Sequence, residues 1–200
     1  MDSTSIISAL EQQLGSDTVA RISRQLGVDP SMASSAISMA LPTILGGLAK
    51  NASHPQGAEA LNNALADHDG SILDNLGGLL QNPAGSAGAA ILGHIFGRKQ
   101  APLEQGLGKA TGMNAQQIGQ LLMMLAPIVM GVLGRMKQTQ GLGAQQIPDV
   151  LNQSTAEIEQ KAPETAGLSQ ILDRNHDGNI ADDIARMGSS VFGGLFDTKS

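Results

Sequence analysis

The sequence predicts an all-α protein with two tandem copies of a small helical unit, each with a Pro-kinked central helix. A C-terminal EF-hand-like loop and a short helix follow the two copies. Composition is the first observation behind this prediction. The 200 residues include no Trp, no Tyr and only three Phe, so aromatic residues that favour strands are scarce. Leu, Ile, Ala, Val and nine Met supply the apolar volume, which suits close packing of helices.

The second observation is an internal repeat, in which three matching runs occur in the same order. The first run pairs Leu26–Pro30 with Thr111–Ala115 and continues to Pro42 and Pro127. The second run pairs Gly57-Ala58 with Gly143-Ala144, and the third pairs His68–Ile72 with His176–Ile180. Duplication is the economical explanation, because helical patterning alone would not reproduce three runs in order. We predict helical repeat 1 over residues 1–82, helical repeat 2 over residues 83–152, and an acidic C-terminal segment over residues 153–200.

Each copy is predicted to contain a long central helix that begins at a capping residue. Asp29 and Asn114 stand at the N-cap positions, where a side-chain oxygen can accept from the first backbone N–H groups. Apolar residues then recur at helical spacing. Pro42 and Pro127 lie inside these helices. An internal Pro removes a backbone hydrogen bond and kinks or splits a helix.

The apolar stripe of each central helix is interpreted as a core face. Gly46 and Gly131, one turn after each internal Pro, would let another backbone approach closely. The alternative is a hairpin that lies on a membrane, but the Lys and Arg residues that usually anchor such helices are missing from its flanks.

Shorter helices are predicted on either side of each central helix. They are Ser5–Leu14, Thr18–Leu26, Gly57–Ala66, Ala90–Phe96, Leu103–Ala110 and Ala144–Gln153. The Gly-rich stretch Asn75–Ala90 is the predicted hinge between the copies. Near the C-terminus, Val191–Phe196 is a short apolar segment that we expect to pack back on the helical body.

Charge and composition exclude several classes of partner. The net charge is −6, no basic cluster exists, and aromatic residues that stack on bases are missing, which argues against nucleic acid. Cysteine is absent, which excludes disulfides and thiolate sites. The N-terminus lacks the pattern of a signal peptide, and the apolar runs are shorter than the roughly 20 residues of a spanning helix. We therefore predict a cytoplasmic protein, with export by a route without a classical signal left open.

Residues 26–35, with Leu41-Pro42-Thr43-Ile44 downstream, resemble the YidB-like family of bacterial proteins, which carry a domain of unknown function. Ile91–Gly97 and Leu125-Ala126-Pro127 are similar to the longer, duplicated members of that group. The resemblance covers roughly residues 5–152 and implies a small, helical, cytoplasmic protein. It brings no catalytic residues. It also implies a part that resembles helix-turn-helix folds, although a basic surface for DNA is missing here.

The only motif with definable chemistry is D-x-N-x-D-G-x-I-x-D-D, which begins at Asp173. Calcium takes six to eight oxygen ligands, and an EF-hand loop supplies them from alternate positions around a Gly at position 6. Gly178 stands at that position. The predicted calcium ligands are Asp173, Asn175, Asp177, Asn179, Asp182 and Asp183.

The motif departs from the EF-hand pattern at position 12, where Ile184 replaces the bidentate Glu. Either a shortened loop uses Asp183, or Asp177-Gly178 forms a simple turn and Asp182 caps a short helix. In the first copy, Leu65 stands at position 1 and cannot bind a metal. We therefore expect the segment Asp67–Asp74 to be an ordinary turn.

No enzyme signature is present, since the four His residues form none of the metal-binding pairs and no nucleophile motif occurs. His94 lies on an apolar segment and is interpreted as a packed side chain. The sequence thus predicts a non-enzymatic helical interaction protein that self-associates, or binds another protein, through faces rich in Gly, Ala and Met. No small-molecule substrate is identified. The alternatives are a DNA-associated regulator and a peripheral membrane protein.

Overall fold

The computed structural model describes residues 5–81 and 87–161, and within these ranges it contains helices and no strand. Nine α-helices lie in these ranges: α1 Ile6–Gln13, α2 Ser16–Leu26, α3 Pro30–Ala52, α4 Pro55–Asp67, α5 Leu76–Gln81, α6 Gly88–Phe96, α7 Gln100–Thr111, α8 Ala115–Gln140 and α9 Ile147–Lys161. Two short 3-10 helices, Ser71–Asn75 and Gly97–Lys99, precede α5 and α7. The all-α prediction is confirmed.

Helix α8 lies at the centre of the fold. It contacts α1, α2, α3, α4, α6, α7 and the first 3-10 helix, and 83% of its most apolar stretch is buried. Helix α3 packs against α2, α4, α9 and α8. One hydrophobic core includes residues from both predicted repeats, among them Ile44 and Leu45 of α3 and Leu121 and Leu125 of α8. Burial of this apolar surface is the main favourable contribution to folding.

The two central helices begin in the same way. Helices α2 and α7 each end at a Gly in the left-handed region, Gly27 with φ 65° and Gly112 with φ 76°, which a residue without Cβ adopts without strain. Extended N-cap residues follow. Asn114 forms a full capping box with Gln117, in which Gln117 N–H donates to Asn114 Oδ1 over 2.8 Å. Asp29 makes no side-chain cap hydrogen bond.

The internal prolines do not split the helices, contrary to one of the two predicted outcomes. Helix α3 continues through Pro42, and α8 continues through Pro127. Each Pro leaves the carbonyl group four residues earlier without its helical donor. For Pro42 that carbonyl belongs to the exposed Ser38. For Pro127 it belongs to Met123, whose backbone is so close to Gly88 that a Cβ there would overlap it.

The backbone approach expected at Gly46 is wrong, and at Gly131 the close neighbours are side chains instead of backbone. A Cβ on Gly46 would meet no atom within 4 Å, and the adjacent Gly47 instead faces Ile95 and Phe96 of α6. Gly131 packs against side chains of the first 3-10 helix. Backbone approaches α8 one turn later, at Gly134, because a Cβ there would overlap the carbonyl oxygen of His68.

Several of the remaining helix boundaries differ from the predictions. The predicted hinge 75–90 contains α5 and the start of α6, on either side of residues 82–86. Helix α9 begins later than predicted and continues to Lys161, beyond the predicted end at Gln153. Helices α3 and α8 are longer than the apolar runs within them, and both are long and apolar enough to cross a membrane by length and composition.

Candidate functional site

The predicted calcium loop lies outside the described residues, together with the apolar segment Val191–Phe196. The ligands concerned are Asp173, Asn175, Asp177, Asn179, Asp182 and Asp183. In residues 5–81 and 87–161, no group of three or more His, Asp or Glu side chains could hold a metal ion. The calcium site therefore stays a prediction.

The segment Asp67–Asp74 of the first predicted repeat contains a turn, as expected. Gly70 has φ 90°, and Asp69 Oδ1 accepts a hydrogen bond of 2.9 Å from the backbone N–H of Ser71. This bond, with a further one from the Ser71 hydroxyl, lowers the pKa of the Asp69 carboxyl below its ordinary value. The turn is thus stabilised by the ionised carboxylate and leads directly into the 3-10 helix.

Arg135 attaches this turn to the central helix. Its Nη2 donates to the carbonyl oxygen of Gly70 and to Oδ1 of Asp74, each over 3.0 Å. The ion pair with Asp74 is largely exposed, so it contributes little to stability by itself. The hydrogen bond to the Gly70 carbonyl holds the turn against α8, at the place where Gly131 and Gly134 allow close packing.

The larger candidate site is an open apolar cleft, here called the α4–α6 cleft, which lies between the end of α3, the helices α4 and α6, and the middle of α8. Its volume is about 510 Å³, within the range of binding sites in proteins. Its floor consists of buried aliphatic side chains and its rim of small residues. The lining residues are Leu48, Asn51, Gly57, Ala60, Leu61, Ala64, His68, Ala87, Ala90, Ile91, His94, Ile95 and Met130.

The polar groups of the α4–α6 cleft are few. Nδ2 of Asn51 donates to the carbonyl oxygens of His94 and Ile95 over 3.1 and 3.2 Å, so it fixes the end of α6 against α3. The imidazoles of His68 and His94 make no hydrogen bond in the described structure. The interpretation of His94 as a packed side chain is wrong, because its side chain is exposed on the cleft rim. Helix α6 buries Ile91, Leu92 and Ile95 and turns His94 outward.

The described residues that line the α4–α6 cleft include no acidic or basic side chain of the Asp, Glu, Lys and Arg types, although the whole chain has a net charge of −6. Covering the cleft would therefore remove no ionised side chain of this set from water, which avoids the large desolvation penalty of a buried charge. In the sequence, Gly57, Ala60 and Ala64 share one face of α4, which indicates a place for close packing but does not distinguish an open cleft from a filled one.

A second, smaller apolar groove, here called the α1–α3 groove, lies on another face. Its volume is about 260 Å³. Glu11 is the only charged residue among those that line it, which are Ile7, Leu10, Glu11, Leu14, Val19, Ser34, Ile37, Ser38, Leu41 and Pro42. The groove thus has aliphatic walls from α1, α2 and α3, with two small Ser residues of α3 between them.

Over residues 5–81 and 87–161, the protein is all-helical, and open apolar clefts lie at the edge of its hydrophobic core. The chain matches the family described as "Bacterial protein of unknown function (DUF937)" over residues 8–138. Because this match covers more than half of the 200 residues, the chain belongs to that family. No curated protein is detectably similar to the chain. No solved structure is detectably similar to it either.

Proposed function

We propose that this protein is a non-enzymatic helical interaction protein that self-associates through the α4–α6 cleft. The observation that carries the proposal is an open apolar cleft without charged lining in a chain of net charge −6. Two copies that each have a net charge of −6 repel each other at long range. An uncharged face is where they can meet with the least desolvation and repulsion.

The shape of the cleft supports contact between two copies of this chain. Ala60, Ala87 and Ala90 on its rim are exposed, and such small residues let the helices of a partner approach closely. The buried floor includes Leu61 and Met130, and Met adapts its shape to irregular contacts. A twofold arrangement, in which the same cleft of each copy faces the other, is the commonest symmetry of such assemblies.

The test compares two substitutions on neighbouring residues of α6. Ala90→Arg places a long charged side chain on the cleft rim, whereas Ala89→Arg places it on an exposed position outside the cleft. We expect sedimentation velocity at increasing concentration to show dimers for the wild type and for Ala89→Arg, and monomers for Ala90→Arg. A wild-type protein that sediments as a monomer at all concentrations would refute the proposal.

We also propose that the loop at Asp173 binds calcium and stabilises the C-terminal segment. Support comes from the oxygen ligands at alternate positions around Gly178. Calcium at about 100 times its dissociation constant should stabilise the fold by roughly 2.7 kcal/mol. Calorimetric titration and thermal unfolding with calcium or chelator measure this effect. It should vanish in Asp173→Ala and persist in Glu164→Ala, which removes a carboxylate outside the loop. An equal response of both variants would contradict the assignment.

The proposed evolutionary basis of this architecture is a duplication, as in the long YidB-like proteins. Support comes from the two central helices, which both follow a left-handed Gly and an extended N-cap residue and both contain an internal Pro. The two copies would have diverged in burial, because α8 is almost wholly enclosed while the most apolar stretch of α3 is 44% buried.

A peripheral membrane protein is the second candidate, and the partial exposure of α3 favours it. Helix α3 has 23 residues and a mean hydropathy of 1.4 over its most apolar stretch. Flotation with liposomes separates this candidate from self-association. Recovery of the protein with the liposomes at both low and high salt would support apolar membrane contact, and protein that stays at the bottom of the gradient would exclude it.

A further inference from the structure

The α1–α3 groove leaves apolar surface partly exposed at the edge of the core. Leu14, Val19 and Leu41 pack against the core but are only half-buried. Ser34 and Ser38 are exposed between these walls and leave room for larger side chains. Removing apolar surface from water is favourable, so a short apolar segment that covers this groove would be stabilised.

The chain leaves the described structure beside this groove. Helix α9 packs along α3 and contacts α1. Near its end, Oε1 of Glu157 lies 3.4 Å from Oγ of Ser5, the N-cap residue of α1. Ile7, at the start of the groove, is two residues beyond Ser5. The last described residue, Lys161, is therefore about one helical turn beyond a residue that contacts the start of α1.

The remaining chain contains an apolar, uncharged segment that carries aromatic side chains. Val191–Phe196 holds two of the three Phe residues of the protein. Phe192, Leu195 and Phe196 have the i, i+3, i+4 spacing of side chains that a helix inserts into an apolar groove. Residues 162–190 link this segment to α9, and at up to about 3.3–3.6 Å per residue they easily span a groove bordered by the eight-residue α1.

We infer that Val191–Phe196 docks into the α1–α3 groove of its own chain. The Phe192, Leu195 and Phe196 side chains cover the walls at Leu14 and Leu41, above the small Ser34 and Ser38. Attachment through α9 favours this occupant over a second copy, because a tethered segment has an effective concentration in the millimolar range. The proposal does not rest on self-association, which uses the other cleft.

The absence of cysteine from the chain permits a direct test with introduced pairs. The test uses the full-length protein and combines Ser189→Cys with Ser38→Cys in the groove. Ser189 is three residues before Phe192. The matched control combines it with Ser35→Cys, which is exposed on α3 but does not line the groove. A short flexible bismaleimide should cross-link the Ser38 pair within one chain at least tenfold faster than the Ser35 pair.

Two further measurements make the outcome decisive. Adding Phe192→Ser and Phe196→Ser should reduce the rate for the Ser38 pair to that of the Ser35 pair. Circular dichroism of each variant verifies that the helical body is folded. Equal rates for the two pairs, or no effect of the Phe substitutions, would overturn the inference. Cross-links found only between two chains would assign the groove to a second copy and overturn it as well.

Discussion

Replacing Gly134 by Ala tests a close contact between α8 and the backbone at the end of α4. A Cβ on Gly134 would overlap the carbonyl oxygen of His68 and would lie 2.8 Å from its carbonyl carbon. Leu65 O would be only 3.1 Å away. These atoms belong to backbone at the end of α4, so no side-chain rotation can relieve the overlap. Either α4 or α8 must move by more than an ångström.

The expected magnitude combines two opposing effects. Ala instead of Gly inside a helix gains about 0.5–1 kcal/mol, whereas overpacking a core contributes a loss of typically 1–3 kcal/mol and occasionally more. At Gly134 the steric loss dominates, because backbone rather than side chain must shift. At Gly46, where a Cβ meets nothing within 4 Å, only the gain remains. We expect Gly134→Ala to destabilise the protein by about 2 kcal/mol and Gly46→Ala to stabilise it.

Thermal and urea unfolding followed by far-ultraviolet circular dichroism measure both variants, since the chain lacks Trp and Tyr as fluorescent probes. For a protein of this size, 2 kcal/mol corresponds to a fall of roughly 4–8 °C in Tm. A Gly134→Ala variant at least as stable as the wild type would refute the close packing of α8 on the end of α4. A destabilised Gly46→Ala variant would show that another part of the chain covers α3 at that position.

Two other predictions concern the helix start and the turn. Asn114→Ala should lower the free energy of unfolding by about 1 kcal/mol, and Asp29→Ala by less, because only Asn114 makes a side-chain cap bond. Urea titrations compare the two, and equal losses would contradict the cap geometry. Because the folded pKa of Asp69 is lowered, its contribution to stability is present above about pH 4 and is lost as the pH falls through the folded value. Asp69→Asn should remove this acid-dependent component from urea titrations at several pH values, and an unchanged acid dependence would refute the role of the carboxylate.

The starts and ends of these helices were predictable from the sequence because they depend on capping residues that act locally. Gly27 and Gly112 end α2 and α7, and Asp29 and Asn114 begin α3 and α8. Each of these effects acts within a few residues. The prediction failed at Gly46 because the approach of another helix depends on which face α3 presents to α6. Gly46 and Gly47 differ by about 100° around the helix, and the sequence does not show which of them α6 reaches.

The α4–α6 cleft was not predictable for a related reason. Its floor and rim come from four helices that are far apart in sequence, and most of its residues are Ala, Leu and Ile, which serve equally well in a closed core. His94 illustrates the difficulty, since its apolar neighbours indicated burial. Its exposure follows from the rotation of α6 that places Ile91 and Ile95 inward. Only the three-dimensional arrangement of the helices distinguishes an open cleft from a filled one.

The central position of α8 has a consequence for the synthesis of this protein. Helices α1, α2, α3 and α4 all contact α8, yet every one of them leaves the ribosome earlier. At about 5–20 residues per second, α8 follows α3 by several seconds. During that interval the earlier helices present to the cytosol the apolar surfaces that α8 later covers. The order of translation thus makes completion of the core a late event, and nascent chains that stall before Gln140 would be sites where chaperones bind.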